Sequence, residues 1–272
     1  MLVSIIIPYY KDKKNILYSV KSAINQSYQD IEVIIIDDEN SEVSKKNLLK
    51  IKKNNKKIKV ISTKKNLGVS QARNLGIKFA SGKLVAFLDS DDLWKKDKLL
   101  RQVHFMNKNK LDLCYTNYYG FVGSDIKYNV EIKKTLDYNN LLKECPISCS
   151  SVLLKKKILD KNKFRNLQTK EDYELWLRIA KKKYKFGGVN KLLTGYRERK
   201  NSLSAQHLNK LINAFKIYNK FNNLSIIKSS LYVIRLYSNA FIKKYLWYML
   251  LDILNLNMFA LKKSWRNKWN IN

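Results

Sequence analysis

The sequence predicts an α/β protein with a Rossmann-like, mostly parallel central sheet, helices on both faces, and a C-terminal helical extension. Three observations carry this. Short continuous apolar runs alternate with amphipathic stretches through the first hundred residues, the pattern of doubly buried strands joined by crossover helices. Polar groups gather where those runs end, at Pro8-Tyr9-Tyr10, Asp37-Asp38 and Asp89-Ser90-Asp91-Asp92. The carboxyl ends of parallel strands are where such sheets bind ligands. Residues 206–272 then change character, with 11 Lys or Arg against one acid, Asp252.

Val3–Ile7 is the first expected strand. No basic region precedes it and no small-residue cleavage site comes after it, so it reads as a strand and not a secretion signal, which makes the cytoplasm the expected compartment. Pro8 is expected to stop it. Ile16, Val20, Ala23 and Ile24 then share one helical face. Glu32–Ile36 and Lys59–Ser62 are the next strands. Ala72, Leu75, Gly76 and Phe79 mark the inner face of a helix, with Ser70 as its expected N-cap. Leu84–Leu88 is the fourth strand. Beyond residue 110 the alternation breaks down into a mixed-sheet region. Strands are expected in "LDLCYTNYY", "SCSSVLL" and "KLLTGY", and a helix in "KEDYELWLRIAKKK" with Tyr173, Leu177 and Ala180 on one side.

In the tail, Leu208, Leu211, Ile212, Phe215 and Tyr218 keep helical spacing. Tyr245–Leu261 is 17 residues with a single charge between Lys243-Lys244 and Lys262-Lys263. A membrane span needs about 20 apolar residues. The stretch therefore reads as an in-plane amphipathic helix, with Trp247, Trp265 and Trp269 near lipid headgroups, or as a helical cap on the core. The expected domains are a catalytic unit over 1–205 and a basic, aromatic extension over 206–272.

Composition bounds the function. The chain has 272 residues, 45% apolar, with 2 prolines and 8 glycines, so it folds. Three cysteines (Cys114, Cys145, Cys149) in no paired spacing argue against a disulfide framework or a zinc site. The formal charge of +32 raises an anionic membrane surface or nucleic acid as partners. Lysine also fills loops such as "KIKKNNKKIK", and no zinc finger, RNA-binding aromatic signature or helix-turn-helix is visible, so no nucleic-acid partner is expected. His104 and His207 lie outside the motifs and read as structural.

The chemistry is expected at the strand ends. On an extended segment Asp89 and Asp91 point to the same side. Convergent carboxylates repel unless a cation lies between them, and hard oxygen ligands suit Mg²⁺ or Mn²⁺ shared with substrate phosphates. The alternative is that Asp91 or Asp92 caps a helix starting near Leu93. Asp37 and Asp38 can accept hydrogen bonds from a ribose or a base, or cap the helix after Ser41. Tyr9 or Tyr10 can stack on a base or belong to the core. Arg73 contacts phosphate or lies on a solvated face. Ser148 to Ser151 line an acceptor or form a half-buried strand.

Five segments in order, "SIIIPYY", "EVIIIDDEN", "NLGVSQARNLGIKFASG", "VAFLDSDD" and "KEDYELWLRIA", resemble the inverting glycosyltransferases of family 2, which have the GT-A fold. "YRERKNSLS" from Tyr196 resembles a tail motif of bacterial surface-polysaccharide members. The resemblance covers about residues 1 to 205. It implies that Asp38 binds the uracil or ribose of a nucleotide-sugar, with Pro8 and Tyr10 lining the base pocket and Arg73 near the nucleotide. It implies that Asp89 approaches the ribose or donor sugar, that Asp91 ligates Mn²⁺ or Mg²⁺, and that the pair Glu171-Asp172 supplies the general base, Asp172. The implied partners are a nucleotide-sugar, a glycan or lipid-linked glycan acceptor, and the anionic inner face of the plasma membrane, bound peripherally. Two positions depart from the pattern. Glu39-Asn40-Ser41-Glu42 replaces the usual Gly-Ser-Thr-Asp-like turn, and Arg199 stands where some relatives have a metal-binding histidine; it can bind phosphate directly. A non-catalytic sugar-nucleotide or glycan-binding module on the same fold is the alternative reading.

Overall fold

A computed structural model describes residues 1–53, 55–198 and 207–253, the side chains of His207 and of 240–253 excepted. The first half carries β1 (Val3–Tyr9), α1 (Ile16–Ile24), β2 (Ile31–Asp37), α2 (Glu42–Lys53), β3 (Ile58–Ser62), α3 (Val69–Phe79) and β4 (Leu84–Phe87). Then come β5 (Leu93–Trp94), α4 (Lys98–Asn109), β6 (Leu113–Val122), β7 (Asp125–Val130), α5 (Tyr138–Lys143), a 3-10 turn (Cys149–Ser151), β8 (Leu153–Lys155), α6 (Lys156–Lys161), α7 (Glu171–Lys181) and β9 (Phe186–Arg197). The extension holds α8 (His207–Lys216), a π-helical turn (Ile217–Phe221) and α9 (Ile226–Ile253).

The strands form one sheet in the order β3-β2-β1-β4-β8-β6-β9-β5, with β7 on β6. β3, β2, β1 and β4 are parallel to one another. β8 runs antiparallel between β4 and β6, β9 is parallel to β6, and β5 lies antiparallel on β9. Period-2 geometry sends alternate residues to opposite faces. Ile5, Ile7, Val33 and Ile35 share a core with Ile16 and Val20 of α1, Leu48 of α2 and Leu99 of α4. Ile6, Ile34, Ile36 and Phe87 share the other core with Ala72 and Ile77 of α3 and Tyr173 and Trp176 of α7. Fully burying each such side chain contributes about 1.5–3 kcal/mol, so two-sided burial explains why these strands read as unbroken apolar runs.

Several expectations shift. β1 runs through Pro8 to Tyr9 because Pro8 pairs with Ile36 while the ladder to β4 ends at Ile6 and Phe87, so its missing N–H faces no strand. The N-cap of α3 is Gly68, at φ 77°, and not Ser70, whose hydroxyl donates to the Leu167 carbonyl. Phe79 is exposed. The inner face of α3 is Ala72, Arg73, Gly76 and Ile77, set by Gly76, where any Cβ would collide with Ile6. No helix starts near Leu93: Leu93 and Trp94 pair with Gly195 and Thr194 of β9, and α4 starts at Lys98 after Asp97.

The extension begins as a cap. Ala214, Ile217 and Tyr218 are fully buried in the α3–α7 core. The Tyr173 and Tyr218 hydroxyls lie 2.7 Å apart, and Tyr218 donates to the Leu142 carbonyl at 2.9 Å. Asn213 Nδ2 donates to Thr169 Oγ1 at 3.0 Å. Arg199, the side chain of Trp247, and the end of the Tyr245–Leu261 stretch with Trp265 and Trp269 lie outside the described residues.

Candidate active site

The carboxyl ends of β1, β2 and β4 and the N-terminal ends of α3 and α7 converge on one edge of the sheet. Tyr9 is core, whereas Tyr10 is about half exposed with the Lys11 ammonium 5.2 Å from its ring. Asp38 is buried at the end of β2. Its Oδ1 accepts from Leu67 N at 2.8 Å and its Oδ2 from Gly68 N at 2.8 Å. The carboxylate thus shapes the loop into α3 and opposes the positive end of that helix. Asp37 is fully buried and closes the turn after β2, accepting from Asn40 N and from the Ser44 hydroxyl. Asn40 takes φ 51° there, so asparagine supplies the left-handed residue for which glycine is the default.

Beyond β4 the chain turns and does not stay extended. Asp92 N donates to the Asp89 carbonyl at 3.1 Å, so same-side alternation does not relate Asp89 to Asp91. Both are partly exposed, while Asp92 is 1% exposed. Asp92 caps no helix. Its Oδ1 accepts from Arg197 N at 2.9 Å and its Oδ2 from the Ser150 hydroxyl at 2.6 Å. Ser150 in turn accepts from Asp89 N at 3.1 Å, and Arg197 Nε donates to the Asp91 carbonyl at 2.8 Å. Ser148–Ser151 is therefore not a half-buried strand. It is the start of a buried 3-10 turn that fastens the acidic loop. Arg197 holds the acidic loop and was missed by sequence reasoning, while Ser150 stood in the serine cluster "SCSS" without its bonds to Asp89 and Asp92 being foreseen.

Arg73 lies on neither a solvated face nor a loop. It is 2% exposed, with Nη1 donating to Glu171 Oε1 at 2.5 Å and Nη2 to Asp89 Oδ1 at 2.6 Å. The guanidinium carbon sits 5.4 Å from the Phe164 ring centre. One buried cation thus ties Asp89, in the acidic loop after β4, to the first residue of α7. Burial pushes the Glu171 carboxyl up to about 7, against the Arg73 charge and with the help of Asp172. Burial also raises Asp172, opposed by Arg73 and by a bond from Tyr173 N, and supported by Asp89. Asp172 remains partly accessible where Glu171 is closed off. A carboxylate with raised proton affinity that can still be reached is suited to accept a proton.

The donor set also bears on a metal. Among the described residues no group of three or more His, Cys, Asp or Glu side chains could hold one by itself. Asp91 and Asp89 offer hard oxygen at the surface, and the field of both raises Asp92 well above the usual carboxylate range, after burial. Such a set fits a divalent cation that completes its shell with phosphate oxygens and water.

The sequence profile described as glycosyl transferase family 2 matches residues 4–163. WfaP of Escherichia coli, named UDP-Glc:alpha-D-GlcNAc-diphosphoundecaprenol beta-1,3-glucosyltransferase, is 38% identical over 217 residues, 78% of this chain and 83% of its own. TuaG of Bacillus subtilis strain 168, which carries the name of a teichuronic acid biosynthesis glycosyltransferase, is 31% identical over 245 residues, 89% of this chain and 97% of its own. Among solved structures, S. aureus TarS 1-349 with UDP-GlcNAc superposes at TM-score 0.66 and 20% identity, over 86% of this chain and 70% of that one. The mannosyltransferase PcManGT of Pyrobaculum calidifontis, with GDP-Man and Mn²⁺, superposes at 0.66 and 14% identity, over 98% and 84%. At these identities the two structures speak for the fold, which is of the GT-A kind.

Proposed function

The chain belongs to glycosyl transferase family 2, and from that premise we propose that it moves glucose, or a closely related hexose, from a UDP-sugar to a hydroxyl of a lipid-diphosphate-linked GlcNAc, inverting the anomeric centre. Its relatives are glycosyltransferases of bacterial surface polysaccharides. The observation that carries the reading is the Arg73 bridge, which joins the acidic loop at the end of β4 to the helix start bearing Asp172. A donor held at the loop and a base at the helix then face one reacting centre.

In this reading Asp172 takes the proton of the acceptor hydroxyl as its oxygen attacks the anomeric carbon, while the bond to the departing diphosphate breaks. One base and no covalent sugar–enzyme intermediate give inversion. Glu171, closed off and paired with Arg73, positions the start of α7. Asp89 faces the ribose or the donor sugar, and Pro8, Tyr10 and Asp38 border the uracil side. Arg73 keeps Asp89 oriented toward the nucleotide. Asp91, with Asp89 beside it, would hold Mn²⁺ or Mg²⁺, whose charge neutralises the leaving diphosphate. Arg199 is retained as a phosphate contact. The catalytic unit is residues 1–205, with 206–272 as an extension seating it peripherally on the cytoplasmic leaflet.

The test is UDP release from UDP-glucose, with and without Mn²⁺, in the presence of a GlcNAc-diphospho-lipid acceptor, and NMR of the new linkage. Acceptor-dependent release with a β linkage is expected. Asp172→Asn is expected to lower kcat by about a hundredfold to ten-thousandfold. Unchanged turnover in that variant removes Asp172 as the base.

A further inference from the structure

The C-terminal helices carry apolar residues on two sides, and the core accounts for only one. On α8 the buried side is Asn213 and Ala214, leading into Ile217 and Tyr218, while Leu208, Leu211 and Ile212 point to solvent, Leu208 at 70% exposure. On α9 Ser229 and Leu236 are buried, while Ile227, Leu231 and Ile234 are exposed, Ile227 at 75%. Leu211 and Ile212 lie three and four residues after Leu208, and Ile227, Leu231 and Ile234 are four and three apart, so each helix presents a solvent-facing apolar stripe opposite its packed side. Scattered single apolar residues on a surface need no explanation, but two stripes on consecutive helices do.

The charge around them selects the occupant. Residues 207–253 hold seven Lys or Arg against Asp252, and residues 254–272 hold four against no acid. A second copy of this chain, or its own last residues, would bring like charges together on that face. A nucleic-acid strand would match the charge but leave the aliphatic stripes without a partner. An anionic bilayer satisfies both, with aliphatic side chains below the headgroups and ammonium groups among them.

We infer that the solvent-facing stripes of α8 and α9, Leu208, Leu211, Ile212, Ile227, Leu231 and Ile234, are a docking face for an anionic lipid surface. This moves the contact from the predicted Tyr245–Leu261 stretch to helices packed on the catalytic unit. The opposite side of α8 holds Thr169 through Asn213, three residues before Asp172, and Tyr218 holds Tyr173. Docking therefore fixes the base-bearing end of α7 relative to the bilayer. The inference rests on the lipid-linked acceptor proposed above for its purpose, and on exposure and charge for its evidence.

Sedimentation with vesicles of phosphatidylcholine containing phosphatidylglycerol tests it. The triple variant Leu208→Glu/Ile227→Glu/Leu231→Glu is expected to bind at least about tenfold more weakly than the parent, since three apolar side chains are lost from the contact. Lys228→Glu/Arg235→Glu, which spares the stripes, is expected to lose the preference for phosphatidylglycerol. UDP release from UDP-glucose with a detergent-dispersed GlcNAc-diphospho-lipid acceptor and no vesicles is expected to be the same in all three proteins, which also reports that they fold. Equal vesicle binding by the triple variant overturns the inference, as does equal binding of the parent to pure phosphatidylcholine, or a parent dimer that the triple variant dissolves. A parent that releases no UDP from any donor in the presence of that acceptor overturns the glycosyl-transfer reading and leaves the vesicle comparison standing.

Discussion

Glu171 and Asp172 are adjacent carboxylates that the structure treats differently. The first is closed in and bound to Arg73, and the second keeps access to the site. The family resemblance singles out Asp172, but the residue pattern alone does not show that Glu171 is the member closed in, because its partner Arg73 lies 98 residues away. With Asp172 as the proposed base, proton transfer needs it ionised, so kcat/KM should fall as pH falls through its raised pKa. Arg73 lowers both carboxyls. Removing that charge in Arg73→Met should move the acid limb to higher pH and reduce kcat, with Arg73→Lys recovering part of both. A limb that stays in place in Arg73→Met would mean that the titrating base is not within reach of that cation.

At the scale of elements, the acidic loop after β4 is held by groups that arrive from far along the chain. Ser150 comes from the turn before β8 and Arg197 from the end of β9. Local patterns could place the strand, since unbroken burial writes itself into Val85 to Leu88. They could not place Leu93 and Trp94, which become a strand only by pairing with β9. The same limit explains Ser70: the loop into α3 is set by Asp38, a carboxylate at the end of β2, and the cap falls to Gly68. Ser150→Ala should cost about 1–3 kcal/mol of stability, by leaving Asp89 N and a buried Asp92 oxygen short of a partner, and should raise KM for the donor. Gly76→Ala, by forcing α3 away from Ile6, should cost about 1–3 kcal/mol through overpacking. Denaturant titration of the two variants, with donor KM measured alongside, separates them, since Gly76→Ala should lose stability with less effect on donor KM.

For the whole molecule the charge excess was legible from composition, but where charge is strained was not. Lys98 is fully buried, its ammonium 2.9 Å from Gln102 Oε1 and 3.8 Å from the Trp94 ring centre, and burial lowers its pKa to about 7. A lysine depressed on folding binds its proton more weakly in the native state, so the unfolded chain holds more protons between about 7 and 10.5. Its penalty is complete below that window and vanishes above it. Glu171, raised to about 7 from 4.5, does the reverse: the native state keeps a proton the unfolded chain has lost, so its penalty is absent below that window and complete above it. The two overlap at neutral pH, where they are each worth up to about 3–5 kcal/mol. The joint contribution of these two groups should therefore be least favourable near neutral pH, easing toward 4.5 as the native Glu171 keeps its proton and toward 10.5 as the native Lys98 sheds its own, and it is read from the differences between parent and variants. Lys98→Met should stabilise at pH 6 and have little effect at pH 10.5, and Glu171→Gln should stabilise at pH 8 and not at pH 4.5. Denaturation midpoints of the parent and both variants across that range decide it. Parallel curves for the parent and Lys98→Met would mean that the ammonium keeps its proton in the core, stabilised by the Trp94 face.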